Sequence, residues 1–230
     1  VRDMWALGLN AKDAVETHDR LAGELLARQR DFDLIDDDLL CDSATHIEGS
    51  ELAAGAMRYK SIVCGQAFWM HPETLERLKQ FAQAGGQVLV LGSPLGTDGA
   101  PGSDVPGIKV VSDASAIAEL APATASISPA SQNIRVAARV VDDGEILAFF
   151  NEGDAPYDGT FQTELPAIYA LDPLTGRIVA QNIKLHIESG EMKVLHVCAT
   201  AEPDIKPAEI PTNDTLDMVP GMRAEPHMRV

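Results

Sequence analysis

The chain has 230 residues, with 18 Lys and Arg against 35 Asp and Glu, for a formal charge of −17. That length is comfortable for two small domains, and 45% apolar residues suffice for buried cores and exclude a wholly disordered chain. The negative field disfavours nucleic acid and anionic membrane surfaces, and the scattered basic residues form no stripe; Arg28 with Arg30 is the densest pair.

No run of 18 or more apolar residues is present, so no membrane span is expected. The first residues, Val1-Arg2-Asp3-Met4-Trp5, lack the apolar stretch of a signal peptide. The expectation is a cytoplasmic protein, processed or a piece of a longer chain. Cys41, Cys64 and Cys198 are too few and too scattered for a disulfide framework, and are expected to be reduced thiols.

Residues 11–30 read as a helix. Val15, His18, Leu21, Leu25 and Leu26 share a face, with Arg28 and Arg30 in the last turn. Asp31–Asp36 reads as a short strand, Asp36–Leu40 as a helical turn, and 44–53 as a small excursion around Gly49. A strand is expected over Tyr59–Gly65. Pro72 opens a helix that Gly85-Gly86 ends. Gln87–Leu91 is a continuous apolar run, as in a central parallel strand covered on both faces. Ile108–Val111 is a further strand, and Ser112 caps a helix through Leu120.

The alternation over 11–120 predicts a parallel sheet with helices on both sides. From residue 121 the pattern changes. Ala121–Gln132 reads as a linker. Ile134, Val136, Ala138 and Val140 alternate as a half-buried strand. Asp142-Asp143-Gly144 turns the chain into Glu145–Phe150. Strands follow at Tyr157–Thr163, Ile168–Leu171, Arg177–Ala180, Ile183–Ile187 and Met192–Cys198, which predicts an antiparallel β-sandwich. Residues 201–230, with prolines at 203, 207, 211, 220 and 226, read as an extended or disordered tail. The expected division is an α/β domain over 1–121, a β-sandwich over 133–200, and the tail.

Several constellations bear on chemistry. Cys64 followed by His71-Pro72-Glu73 superficially matches class I glutamine amidotransferases, which share the expected flavodoxin-like α/β fold. A nucleophile elbow needs small residues around the thiol so that the chain turns sharply. Here Ile62 and Gln66 stand in those positions, and the His-x-Glu pair follows too soon. Gly92-Ser93-Pro94-Leu95-Gly96 is not G-x-S-x-G, and Pro94 removes an amide that an oxyanion hole would use. The strand-end edge is still where open α/β sheets bind ligands. Cys64, Gly65, Trp69 and Ser93 are therefore the candidate binding residues, with no catalytic residue.

The acids Asp31, Asp33, Asp36, Asp37 and Asp38 lack the glycine and glutamate of a calcium loop, and read as a solvated face. His18, His46, His71, His186, His196 and His227 show no metal-ligand spacing, and no phosphate-binding glycine motif follows a strand. Neither a metal nor a cofactor is expected. Trp69, beside Phe68, is read as a core or interface residue in preference to a sugar-stacking one.

The segments also occur in an order that resembles the C-terminal part of large multidomain glycoside hydrolases, α-L-rhamnosidase-like enzymes above all. The first module carries Phe32-Asp33-Leu34-Ile35-Asp36, Ile47-Glu48-Gly49, Tyr59-Lys60-Ser61-Ile62-Val63, Thr74-Leu75-Glu76-Arg77-Leu78 and Gly85-Gly86-Gln87-Val88. The second carries Leu147-Ala148-Phe149-Phe150-Asn151 and Leu171-Asp172-Pro173-Leu174-Thr175-Gly176-Arg177-Ile178. The resemblance, over roughly 15–198, implies an amidotransferase-like (β-galactosidase-trimerisation-like) domain before a β domain, with the catalytic carboxylates on a separate barrel.

Two expectations follow. One is a non-catalytic accessory or structural module of a glycoside hydrolase, partnered by a catalytic barrel of the same longer chain or by self-association, with carbohydrate as a possible ligand. The alternative is an independent small-molecule-binding or hydrolytic α/β protein using the strand-end edge.

Overall fold

The computed structural model describes residues 12–181 and 184–199, together with Ala6 and Gly8. The tail over 201–230 and the start of the strand expected at Ile183 lie outside the described residues. The described chain is mixed α/β, with four sheets and few helices.

Helix α1 (Lys12–Ala27) comes first. It stops three residues before the expected end. Gln29 enters the left-handed region at φ 55°, the Arg30 N–H donates to Leu25 O at 2.9 Å, and the Gln29 N–H donates to Leu26 O at 3.2 Å. This is a Schellman cap, so Arg28 and Arg30 stand beyond the helix and not in its last turn. Of the predicted face, Leu21 and Leu25 are buried, whereas His18 is exposed.

Asp31–Asp36 forms no strand, because its polar groups are used elsewhere. The Asp31 N–H donates to Thr124 Oγ1, and the Asp31 carboxylate accepts from the Ala138 N–H at 3.0 Å. Asp36 then caps α2 (Asp37–Cys41) by accepting from the Leu39 N–H.

The excursion around Gly49 is a meander of three antiparallel strands: β1 (Thr45–Glu48), β2 (Glu51–Ala54) and β3 (Met57–Tyr59). Gly49 and Gly55 turn it with φ near +59° and +58°. The single strand expected over 59–65 therefore divides, Tyr59 ending β3 and Ser61 opening β4 (Ser61–Cys64).

Helix α3 (Pro72–Gln83) starts on Pro72, as the sequence indicates. Strand β5 (Gln87–Leu91) lies between β4 and β6 (Ile108–Val111) in an all-parallel sheet of three strands. Helix α4 (Ala114–Leu120) is capped by Asp113, which accepts from the Ser115 N–H, and not by Ser112. Alternate residues of β5 point to opposite faces. Leu89 and Leu91 pack with Leu21 and Leu25 of α1 and Ile117 of α4. Val88 and Val90 pack with Leu78 and Phe81 of α3 and Leu52 of β2. Helices thus cover both faces of the sheet, and the apolar run of β5 is buried throughout.

The stretch expected to be a linker contributes β7 (Ser126–Ser128). Beyond it come β8 (Ile134–Val141), β9 (Gly144–Asn151), β10 (Tyr157–Gln162), β11 (Ala167–Leu171), β12 (Ile178–Gln181), β13 (Leu185–Ile187) and β14 (Met192–Cys198). They form a five-stranded sheet ordered β12-β11-β14-β9-β8 and a three-stranded sheet ordered β13-β10-β7. All pairings in both are antiparallel. Leu147, Phe149, Leu195 and Val197 of the larger sheet share a core with Tyr157, Leu185 and Ile187 of the smaller. Asn151 is buried at the end of β9. Its Nδ2 donates to the carbonyls of Ala155 and Ile187, and its Oδ1 accepts from the Gly153 N–H.

The two parts of the chain are joined through the end of α1. Gln29 Nε2 donates to Ser131 O at 2.9 Å and Ile134 O at 2.8 Å.

Candidate functional site

The strand-end edge carries the four residues singled out by the sequence. Cys64 ends β4 with its side chain against the cluster of Val88, Val90 and Leu78. Burial, and then the charge of Asp37, pushes its thiol up to about 12. A nucleophilic cysteine needs the thiolate. At neutral pH this sulfur is protonated and unsuited to attack.

Gly65 follows directly and faces α1, where a Cβ on it would meet Thr17 and His18 at 3.9 Å. Ser93 is half-buried in the loop after β5. Trp69 is 37% exposed, and its ring covers Gly99, whose added Cβ would stand 2.5 Å from Trp69 Cζ2.

The loops after β4 and β5 are tied together by three backbone hydrogen bonds. Met70 N donates to Gly96 O, Gly96 N to Ala67 O, and Gly99 N to Phe68 O, at 3.0, 2.9 and 2.8 Å. Gly96 and Gly102 permit this, since a Cβ at either would fall within 2.2 Å of a carbonyl oxygen. Trp69 is thereby brought against the loop that begins with Ser93, with its ring laid on that loop. His71 precedes Pro72 as the residue before α3, and Glu73 sits in the first turn, so His71-Pro72-Glu73 is a helix start.

The acidic stretch is not simply a solvated face. Asp36 caps α2, Asp37 accepts from Thr74 Oγ1 at 2.7 Å, Asp33 accepts from the Tyr59 hydroxyl at 2.8 Å, and Asp31 faces Arg139 at 3.3 Å. The carboxylates are engaged with separate partners and form no common cage.

A cleft of about 410 Å³ opens beside this stretch. Leu34, Leu39, Met57, Tyr59, Asp33 and Arg139 line it. Leu34 is 73% exposed, and Leu39 and Met57 are also exposed. Tyr59 and Asp33 give the apolar floor one oriented polar pair. Burial, then the Asp33 hydrogen bond and charge, pushes the Tyr59 phenol up to about 12, so it remains a donor at neutral pH. Arg139 adds a positive rim. The cleft is apolar with a polar margin, the usual make-up of a recognition surface. Sequence reasoning missed it because its residues come from the segment before α2, the meander and β8. No local signal marks it, since Leu34, Leu39 and Met57 are apolar residues scattered along the sequence.

The histidines show no metal spacing along the chain, yet the fold gathers Asp143, His196 and Cys198. No helix among the described residues is long and apolar enough to cross a membrane.

No family model and no curated protein matches the chain. Solved structures do match its fold. A rhamnosidase from Novosphingobium sp. PP1Y aligns at 18% identity and a TM-score of 0.52, over 77% of this chain and 21% of that one. An exo-carrageenase GH42 from Bacteroides ovatus aligns at 14% identity and a TM-score of 0.53, over 80% of this chain and 27% of its own. Gan42B, a GH42 β-galactosidase from G. stearothermophilus, aligns at 10% identity and a TM-score of 0.52, over 81% and 36%. At these identities the likeness is one of fold. The chain spans about a fifth to a third of the length of these structures.

Proposed function

We propose that this chain is a non-catalytic accessory module of a carbohydrate-active glycoside hydrolase, and that it docks another domain of a longer chain through the Leu34–Met57 cleft. The observation that carries the reading is the asymmetry of the fold likeness. About four-fifths of this chain superposes on glycoside hydrolases, but on only 21–36% of each.

Chemistry supports the same reading. Glycoside hydrolysis needs two carboxylates flanking the scissile bond. A catalytic barrel takes about 250 residues, and the described residues 12–181 and 184–199 form the helices, sheets and connections above. The Cys64 thiol is protonated, and Trp69 lies on the chain's own loop. Under this reading residues 1–121 are a flavodoxin-like, amidotransferase-like domain that has no amidotransferase chemistry. Residues 133–200 are a β-sandwich packed beside it. The exposed leucines and Met57 are the contact that the rest of a larger enzyme would cover.

The test has two parts. Aryl rhamnosides and galactosides are offered to the purified chain, and no hydrolysis above buffer is expected; turnover would overturn the non-catalytic reading. Light scattering at several concentrations, on wild type and Leu34→Glu, reads the cleft. An exposed docking face unsatisfied in the isolated chain gives concentration-dependent association that Leu34→Glu reduces. Monomers at every concentration for both proteins would remove the cleft as an adhesive surface.

A further inference from the structure

The turn between β8 and β9 is latched to the end of β14. The Ala199 N–H donates to Asp143 O at 3.1 Å, and Cys198 stands opposite Gly144 in the ladder. Only glycine fits at 144, since a Cβ there would fall 2.0 Å from Val197 O and 2.8 Å from Cys198 Cα. The close approach carries Asp143 over the end of β14. On that strand His196 and Cys198 are two residues apart, so their side chains leave the same face.

One carboxylate oxygen, one imidazole nitrogen and the thiol sulfur lie within 4.8 Å of one another. His196 is 2% exposed and Cys198 fully buried, whereas the Asp143 side chain is 39% exposed. His196 Nε2 lies 3.1 Å from Asp143 Oδ1, and among the described residues its Nδ1 has no hydrogen-bond partner. The nitrogen that faces the cluster is Nε2, and it shares that space with the Asp143 carboxylate and the Cys198 sulfur.

We propose that Asp143, His196 and Cys198 form a binding site for a single zinc-type divalent ion. Sulfur, imidazole and carboxylate are the ligand set that zinc takes, with bonds of about 2.0–2.3 Å. Tetrahedral bonds of that length set ligands roughly 3.5 Å apart, and the half-exposed turn residue Asp143 supplies the closing movement. The ion takes the lone pair of His196 Nε2, with the neutral ring's one proton on Nδ1, and the Cys198 thiol releases its proton to solvent on becoming a thiolate ligand. Three protein ligands leave a fourth position for water on the exposed Asp143 side. The site sits at the β8–β9 turn end of the larger β-sheet, its three residues are not among those lining the Leu34–Met57 cleft, and it does not depend on the accessory-module reading.

The test is titration of the chelator-treated, reduced full chain with cobalt(II), read by absorption, with zinc competition and metal analysis after gel filtration. One equivalent is expected, with a sulfur-to-cobalt charge-transfer band in the near ultraviolet and visible bands of tetrahedral intensity, all bleached by zinc. Cys198→Ser removes the charge-transfer band. Asp143→Asn, an isosteric change at a half-exposed turn residue, weakens cobalt at least tenfold while circular dichroism is unchanged. Absence of the thiolate band in the wild type overturns the proposal, as does equal cobalt affinity in the wild type and folded Asp143→Asn.

Discussion

Gln29, held at φ 55°, donates from Nε2 to the carbonyl oxygen of Ile134 at 2.8 Å. One residue ends the first helix and contacts the first strand of the larger β-sheet. The backbone demands a conformation suited to glycine, yet the side chain needs an amide.

Those two demands separate by mutation. Gln29→Ala loses both inter-segment hydrogen bonds and should cost about 1–3 kcal/mol. Gln29→Gly loses the same bonds but relieves the left-handed backbone, so it should be less harmful by roughly 1 kcal/mol. Urea denaturation of the two variants gives the comparison, and equal losses would show that the backbone is unstrained.

Gly86 lies under the ring of Phe81, and a Cβ on it would stand 2.2 Å from Phe81 Cζ. Phe81 is fully buried. Gly86→Ala should therefore overpack the α3 side of the core and cost about 1–3 kcal/mol. Combining it with Phe81→Leu, which removes the opposing ring edge, should cost less than the sum of the two single changes. Thermal melts of the four proteins check this; strict additivity would mean the ring does not block the position.

Asn151 belongs to the Phe149-Phe150-Asn151 phrase that made the sequence resemble glycosidase β domains. In the structure it is a buried crosslink, donating to two carbonyls and accepting one N–H. Asn151→Asp puts an anion against two carbonyl oxygens and should destabilise by about 3 kcal/mol at neutral pH. Acid should recover part of that loss by protonating the new carboxyl. A denaturation midpoint independent of pH would contradict the assignment.

His186 sits between Asp158 and Glu188, with ring nitrogens at 2.7 and 3.1 Å from them. The Asp158 hydrogen bond, then that of Glu188, raises its pKa above the ordinary 6.5. A raised folded-state value means that the stabilisation is fully present below about 6.5 and is lost as pH rises through the folded pKa. NMR titration of the ring should give a midpoint above the ordinary value, falling in Asp158→Asn. Added salt should shrink the shift, because the site is on the surface. A midpoint unchanged by Asp158→Asn would refute the pairing.

Thiol labelling should follow exposure. Cys41 is exposed, whereas Cys198 is buried and the Cys64 thiol is pushed up to about 12. At pH 8 one thiol should react quickly in the native chain and the other two only in denaturant. Rapid native labelling of Cys64 would reopen the strand-end edge as a reactive site.

Some of this was legible in the sequence because the signals were local. The apolar run Gln87–Leu91, Pro72 before an amphipathic stretch, and Asp142-Asp143-Gly144 each placed its element correctly. The meander was not legible, since strands of three or four residues are too short for alternation to register. Asp31–Asp36 alternates like a strand, but the Asp31 side chain takes the Ala138 N–H from 107 residues away. No spacing along the chain foretells that. The same holds for Asp143 and His196, 53 residues apart in sequence and 3.1 Å apart in space. Cys64, Gly65, Trp69 and Ser93 were nominated from the general behaviour of parallel sheets, which says where a cleft can open and not whether loops close it.

Strand β8 is the last in its sheet, so its outward-facing peptide groups have no neighbouring strand. Gln29 and Asp31 occupy two of them, the carbonyl of Ile134 and the amide of Ala138, in place of a strand. An uncovered edge is a template for aggregation and for strand addition by another chain. Cutting the chain before β8 would thus remove the guard from the sheet it leaves behind, and the severed β part should associate edge to edge, a route that Gln29 and Asp31 close in the intact chain.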